Sequence, residues 1–122
     1  MEDIKQILVV RRDLKSRRGK ECAQSAHASN QFLLERILNG QKLKPVEQLW
    51  ADTGIKKVTV QVDTLEELEE IFQKGKNAGI ETHIIVDSGT TEYHGNPTKT
   101  VVALGPDYAS KLDPITGSLK LY

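Results

Sequence analysis

The sequence contains a single cysteine, Cys22, among its 122 residues, and this excludes any disulfide within the chain. A chain without disulfides is typical of a reducing compartment, and residues 1–5 lack the apolar core of a signal peptide. Long apolar runs are lacking too, since none approaches the roughly 20 residues of a membrane-spanning helix. These absences predict a cytoplasmic protein that does not enter a membrane.

Aromatic residues are also scarce, at 5% of the chain, and the only tryptophan is Trp50. A surface that binds nucleic acid by base stacking needs several aromatic side chains close together. Because Trp50 has no second aromatic residue nearby in the sequence, we expect it to pack in the core or at its rim.

An excess of either charge is lacking, because 17 basic residues balance 17 acidic ones. The charges are nevertheless segregated, with basic residues crowding segment 11–20 and acidic residues crowding segment 63–70. Segregation of this kind predicts a basic surface patch that binds phosphates, with a merely solvated loop as the alternative. The residues predicted to bind the nucleic acid are Arg11, Arg12, Lys15, Arg17 and Arg18.

The apolar periodicity predicts alternating strands and helices, hence an α/β fold of one domain spanning residues 1–122. Strands are expected at 6–12, 57–62, 82–86 and 100–104, and the third, nearly continuous in apolar residues, is expected to be central. Helices are expected from about 20 to 38, from 46 to 52, after an N-cap at Thr64, and from 105 to 112, followed by a turn at 113–117.

The first long helix carries a polar stripe at helical spacing, formed by Lys20, Gln24, His27 and Gln31. A second stripe of Ala23, Ala26, Leu33 and Ile37 is predicted to face the sheet, and the phase of the helix places Cys22 towards it. Cys22 is therefore expected to be a buried small hydrophobe and His27 a hydrogen-bonding partner of the core. The alternative for Lys20 and Gln24 is a solvated helix face.

Asp87 is the best candidate for a catalytic carboxylate, since it stands where an apolar strand meets a glycine loop. An Asx turn that stabilises Ser88 and Gly89 is the ordinary alternative. Helix starts and strand ends converge at one edge of an open α/β sheet, so we expect Lys20 and Asp87 to meet there. The three histidines, by contrast, are far apart and lack the spacing of a metal site.

Several segments in order along the chain resemble the type II peptidyl-tRNA hydrolases. These segments are Leu8-Val9-Val10-Arg11-Arg12-Asp13-Leu14-Lys15, Gly19-Lys20, Ala23-Gln24-Ser25-Ala26-His27-Ala28, Asp87-Ser88-Gly89-Thr90-Thr91-Glu92, Thr100, Leu104-Gly105-Pro106 and Thr116-Gly117-Ser118-Leu119-Lys120-Leu121-Tyr122. The family often has an arginine where this chain has Thr90, and the loop at 93–99 is atypical. The resemblance nevertheless spans nearly the whole chain.

The resemblance implies a three-layer α/β/α sandwich around a four-stranded mixed sheet, with the last strand antiparallel to the others. It also implies a metal-independent hydrolase without cofactors that cleaves the ester between the peptide and the tRNA 3' ribose of peptidyl-tRNA. The catalytic residues implied are Lys20, Gln24, Asp87, Thr91 and Thr100. The alternative is a tRNA-binding or adaptor module that has lost turnover. The sequence is compatible with a homodimer but does not fix the oligomeric state.

Overall fold

The computed structural model describes residues 2–88, 93 and 95–122. Strands and helices alternate along most of the chain, as the sequence predicts. The elements are β1 (Ile4–Arg11), α1 (Arg18–Leu38), α2 (Pro45–Asp52), β2 (Lys57–Val62), α3 (Leu65–Asn77), β3 (Thr82–Asp87), β4 (Thr98–Tyr108) and α4 (Ala109–Thr116). None of the helices in this described part is both long and apolar enough to cross a membrane.

The four strands form one mixed sheet in the order β2-β1-β4-β3. Strands β1 and β2 are parallel, whereas β4 is antiparallel to both of its neighbours, β1 and β3. The predicted mixed sheet, with its last strand antiparallel to the others, is therefore confirmed. The prediction that the third strand is central is wrong, because β3 lies at an edge. Its apolar run arises because Ile84 packs on one face of the sheet and Ile85 on the other.

Both faces of the sheet are covered by helices, which confirms the three-layer sandwich. One face packs Ile7, Val9 and Val102 against residues of α3 and α4, including Leu68 and Leu112. The other face packs the alternate strand residues, such as Leu8, Val10 and Ala103, against Ala28 of α1. Because side chains alternate along a strand, one run of apolar residues supplies both cores.

The predicted buried stripe of α1 is wrong except at Leu33, which is partly buried: Ala23 and Ala26 are exposed, and Ile37 is 72% exposed. Cys22, predicted to be buried, is exposed too. The helix instead buries a face that contains three polar residues, in the set Glu21, Ala28, Ser29, Phe32 and Arg36. Each of the three polar residues is buried with a partner. Ser29, for example, donates to the Gln6 side chain at 2.5 Å and accepts from it through its carbonyl at 3.0 Å. Hydrophobicity alone therefore assigns the wrong phase.

The predicted helix at 105–112 begins later, because β4 continues to Tyr108 through a cis Gly105–Pro106 bond. Gly105 has φ +90°, and a Cβ there would lie 2.7 Å from the backbone nitrogen of Asp107. Pairing with Ile4 and Lys5 of β1 extends the strand to its end. The segment 113–117, predicted as a turn, consequently supplies the last turn of α4 and its C-cap.

Two local predictions are confirmed. The Thr64 side chain caps α3 by accepting a hydrogen bond from the backbone N–H of Glu67 at 3.1 Å. Trp50 is 3% exposed, packs edge-on against Phe32 and donates its indole N–H to the Lys56 carbonyl at 2.8 Å. The indole therefore belongs to the core and is not a platform for bases.

Candidate active site

The start of α1 and the end of β3 meet at one edge of the sheet. Lys20 and Gln24 stand one helical turn apart, so both side chains project from the same side of α1. The Lys20 ammonium lies 2.6 Å from Oδ2 of Asp87, and the Gln24 amide donates to the same oxygen at 2.6 Å. The expected meeting of Lys20 and Asp87 is thus confirmed.

Asp87 is nearly removed from solvent, with its side chain 5% exposed, and that of Lys20 is 19% exposed. A carboxylate so far from water needs compensating partners, and the ammonium and the amide supply them. The Coulomb attraction within this pair is also stronger than it would be at the surface. The result is a shielded carboxylate with two donors aimed at it, a suitable setting for proton transfer and for stabilising negative charge.

The amide oxygen of Gln24 points to a missing partner. It is buried and accepts no hydrogen bond, and it is the one buried side-chain atom with this property among the described residues. A buried acceptor left unsatisfied costs free energy, so such an atom is often completed by a water or a ligand. Gln24 can therefore accept a hydrogen bond from a hydroxyl group beside Asp87 while its NH₂ holds the carboxylate.

The two threonines predicted for the site have different outcomes. Thr100 is buried, and its hydroxyl donates to the carbonyl of Ile85 at 3.3 Å, two residues before Asp87. Its contact among the described residues is therefore with the strand that carries Asp87. Thr91 lies outside the described residues, as does Thr90, where the chain departs from the family pattern.

The predicted nucleic-acid-binding residues differ in their exposure to solvent. Arg11 donates two hydrogen bonds to Asp13, at 2.9 and 3.0 Å, and a third to the Lys99 carbonyl at 3.2 Å. Lys15, Arg17 and Arg18, in contrast, are exposed at the start of α1 and just before it. These three exposed side chains lie at the surface, where a phosphate backbone can reach them.

Arg12 is fixed by a cluster that joins three distant parts of the chain. It donates to Glu21, which is 7% exposed, and its guanidinium lies 4.9 Å from the centre of the Tyr122 ring. The Tyr122 hydroxyl also donates to Glu21. The bond to Glu21 raises the pKa of the Arg12 guanidinium and that of the Tyr122 phenol. Tyr122 therefore helps to hold the basic loop, by which we mean residues 11–18.

Sequence reasoning missed four residues around the site: Tyr93, Ser16, Glu21 and Tyr122. The ring of Tyr93 lies 6.0 Å from the Lys20 ammonium, and its hydroxyl is hydrogen-bonded to the Ser16 hydroxyl. Tyr93 carried a detectable signal, because an aromatic residue in a polar loop usually has a packing partner. Glu21 carried none, since an acidic residue at the start of a helix is an ordinary feature.

His27 is exposed, so its predicted role as a hydrogen-bonding partner of the core is wrong. Another histidine does join carboxylates: ligand atoms of Glu35, Glu81 and His83 lie within 4.8 Å of one another. Glu81, however, also accepts from Arg36 at 2.6 Å and from Lys44 at 3.2 Å. Two cations already beside the carboxylate oppose the binding of a metal ion, so the group is an ion-pair network.

Comparison with known proteins assigns this chain to a family. Residues 4–122 match the model of the family described as peptidyl-tRNA hydrolase PTH2. The chain belongs to this family. The match confirms the resemblance found in the sequence, and it includes both the α1 segment with Lys20 and Gln24 and the strand end with Asp87.

Relatives that match nearly the whole of this chain support the same family assignment. A peptidyl-tRNA hydrolase of Nanoarchaeum equitans is 43% identical over 119 residues, which are 98% of this chain and 99% of the relative. One from Methanothermobacter thermautotrophicus is 39% identical, covering 97% and 99%. A probable peptidyl-tRNA hydrolase 2 of Dictyostelium discoideum is 35% identical over 98% of this chain but only 55% of its own length. The region similar to this chain thus makes up nearly all of the first two relatives and about half of the third.

Proposed function

We propose that this PTH2 protein hydrolyses the ester bond between the peptide and the 3' ribose of peptidyl-tRNA, and so returns tRNA to translation. Membership of the family supports this activity, as do the names of the relatives. The proposed active site is located by one observation: Lys20 and Gln24 both contact Asp87.

Asp87 is the proposed general base. Its carboxylate takes a proton from a water molecule, whose oxygen then attacks the ester carbonyl. The attack places negative charge on the carbonyl oxygen, and the Lys20 ammonium stabilises that charge. Collapse of the intermediate breaks the bond to the ribose oxygen, which takes up the proton held by Asp87 as tRNA leaves. No step in this sequence requires a metal ion or a cofactor.

Gln24 is proposed to orient the reacting groups. Its NH₂ fixes Asp87, and its free amide oxygen accepts a hydrogen bond from the attacking water or from a ribose hydroxyl. Thr100 holds β3 through the Ile85 carbonyl and is proposed to position the strand end. Thr91 keeps its predicted place among the catalytic residues on the family resemblance alone.

Binding of the tRNA backbone is assigned to the basic loop. The exposed side chains of Lys15, Arg17 and Arg18 are proposed to contact phosphates directly. Arg11 and Arg12 are proposed to contribute charge while their hydrogen bonds to Asp13 and Glu21 fix the course of the loop. Backbone contacts of this kind supply affinity without reading a base sequence.

The same proposal covers the domain and the compartment. We assign residues 1–122 to a single PTH2 domain, which the family match over 4–122 supports. The compartment that fits a substrate formed during translation is the cytoplasm. An adaptor that has lost turnover is not favoured, because the chain retains Asp87 in contact with both Lys20 and Gln24.

The proposal is tested by incubating the purified protein with an N-acetylated aminoacyl-tRNA and measuring the tRNA released. We expect release at nanomolar to micromolar enzyme, with or without a metal chelator, and little release from aminoacyl-tRNA with a free amine. Absence of release at micromolar enzyme would reject the enzymatic function. Release that stops when a chelator is added would reject the proposed role of Asp87 and Lys20.

A further inference from the structure

The two edge strands of the sheet, β2 and β3, differ in whether another segment of the described chain pairs with their outer side. At the β2 edge the C-terminal tail adds a short pairing, in which Gln61 N–H donates to the Lys120 carbonyl at 2.9 Å and Tyr122 N–H donates to the Thr59 carbonyl at 3.1 Å. At the β3 edge, no strand from the described residues pairs with the outer side. A bare edge strand is a ready template for another extended chain.

The bare edge lies at the bottom of a groove. A cavity of about 410 Å³ runs along residues 82–86, with His27, Gln31 and Glu35 of α1 on one side and Phe72 and Lys76 of α3 on the other. Helix α3 lies close to the strand because Gly75 has no side chain, and a Cβ there would be 2.5 Å from Oγ1 of Thr82. The groove is therefore built by both helical layers.

The pairing pattern shows which backbone groups face this groove. Glu81 accepts from Gly105 N–H at 2.7 Å, and the pairs His83–Ala103 and Ile85–Val101 continue that register. In an antiparallel ladder alternate residues direct their N–H and C=O groups to the partner strand. The groups of Thr82 and Ile84 are therefore directed away from β4, into the groove.

The groove leads directly to the candidate active site, since its last residue, Val86, precedes Asp87 in β3. From these observations we infer that the groove binds the peptide part of the substrate as an added β-strand on the free edge of β3. The inference rests on the proposed function, because the ester must lie at Asp87. With its C-terminal carbonyl there, the peptide runs parallel to β3, its earlier residues lying towards Thr82.

The length and chemistry of the groove define the ligand. Five residues at about 3.3 Å each span about 16 Å, which accommodates four or five residues of an extended peptide. Recognition through backbone hydrogen bonds depends little on side chains. This suits an enzyme whose substrates carry peptides of unrelated sequence.

The first test varies the peptide with the full-length enzyme. N-acetylated peptidyl-tRNAs with one to six residues are compared, and kcat/KM is expected to rise about tenfold or more up to four or five residues and then to level off. N-methylation of a single peptide amide is expected to abolish the gain at alternate positions only, as a strand requires. Activity independent of length, or a gain that N-methylation leaves intact, would overturn the inference while leaving the proposed function in place.

A matched pair of variants tests the place of binding. Gln31→Trp fills the groove, whereas Asn30→Trp adds the same side chain at an exposed position of α1 outside it. Gln31→Trp is expected to remove the gain from longer peptides and to leave hydrolysis of the one-residue substrate within about twofold of the parent. Asn30→Trp is expected to behave like the parent. Equal behaviour of the two variants would contradict the inference.

A binding measurement makes the test independent of turnover. A pentapeptide joined through an amide to 3'-amino-3'-deoxyadenosine cannot be released by ester hydrolysis. Binding of this compound is expected to shift the NMR signal of the Ile84 amide and to slow the hydrogen exchange of that amide. The corresponding analogue with a single N-acetylated residue in place of the pentapeptide is expected to do neither. No change at Ile84, or a homodimer joined along β3 that Gln31→Trp dissociates, would show that the edge does not serve the peptide.

Discussion

At the scale of single residues, Asp87 is held by two donors on one oxygen, and this arrangement makes a quantitative prediction. Asp87→Asn keeps the size of the side chain but removes its charge. We expect turnover of N-acetyl-aminoacyl-tRNA to fall about a hundredfold or more, in the range of general-base contributions. The affinity for tRNA should hardly change, because the proposed phosphate contacts lie in the basic loop. Single-turnover kinetics and a binding titration separate the two quantities.

Lys20 and Asp87 are predicted to act as a unit. Lys20→Ala should lower both turnover and tRNA affinity, since it removes a cation near the substrate. The double variant should be little worse than the poorer single variant, because removing either residue already disables the pair. If the two losses instead multiply in the double mutant, the residues work independently. A thermal unfolding curve for each variant checks that the fold is intact.

Tyr122 is predicted to stabilise the protein through Glu21. Tyr122→Phe leaves the ring over Arg12 but removes a hydrogen bond to a carboxylate that is 7% exposed. A buried acceptor that loses one of its partners costs about 1–3 kcal/mol, and Glu21 retains Arg12, so a loss near 1 kcal/mol is expected in urea unfolding. Tyr108→Phe is the control, because its hydroxyl makes no hydrogen bond to the described residues. Equal effects of the two variants would show that the cluster contributes no specific stability.

At the scale of structural elements, the basic loop is predicted to contribute to tRNA binding through its charge. Arg17→Ala and Arg18→Ala together should weaken tRNA binding and reduce the slope of log K against log salt by about one to two, if each arginine neutralises a phosphate. Lys42→Ala with Lys74→Ala removes the same charge from exposed positions outside the loop. An unchanged slope for the arginine variant, or an equal change in the control, would show that the loop is only a solvated surface.

The elements also show what the sequence can predict. The strands and the caps of α3 follow from local preferences, such as β-branched residues in β2 and a threonine that accepts from Glu67 N–H. Local preferences fail for α1, whose buried face includes Glu21 and Arg36. Each is buried because a partner distant in sequence compensates it, and a hydrophobic pattern contains no record of such partners.

The candidate site, too, could be predicted from the sequence only in part. The convergence of Lys20 and Asp87 could be predicted, because the order of strand and helix brings a helix start and a strand end to one edge. The contribution of Tyr122 could not, since it depends on where the C-terminal tail packs against Glu21 and Arg12. The edge position of β3 also escaped prediction, because an edge strand covered on both faces by helices is as apolar as a central one.

At the scale of the whole molecule, Glu81 connects α1, the segment before α2 and the start of β3. Hydrogen bonds from His83, Arg36 and Lys44 hold its pKa well below the usual 4.5. A carboxylate whose pKa is lowered by folding contributes stability above pH 4.5 that is lost as the pH falls below it. The parent protein should therefore lose stability steadily from pH 4.5 downwards.

Glu81→Gln should be less stable at pH 7 but should show a shallower fall between pH 4.5 and pH 2.5, measured by urea unfolding at each pH. Glu70→Gln is the control, because the one ion pair of Glu70 within the described part of the chain is exposed, with Lys74, and such pairs contribute little. Parallel curves for the parent and Glu81→Gln would contradict the lowered pKa.

The proposed roles of Asp87, Lys20 and Gln24 in hydrolysis are tested by comparing the tRNA released by the parent protein and by Asp87→Asn. Each protein is incubated with N-acetyl-aminoacyl-tRNA and, as a control, with the same aminoacyl-tRNA bearing a free amine. We predict rapid release from the acetylated substrate by the parent alone and little release in the other three reactions. Full activity of a folded Asp87→Asn protein, or equal hydrolysis of both substrates by the parent, would contradict this prediction.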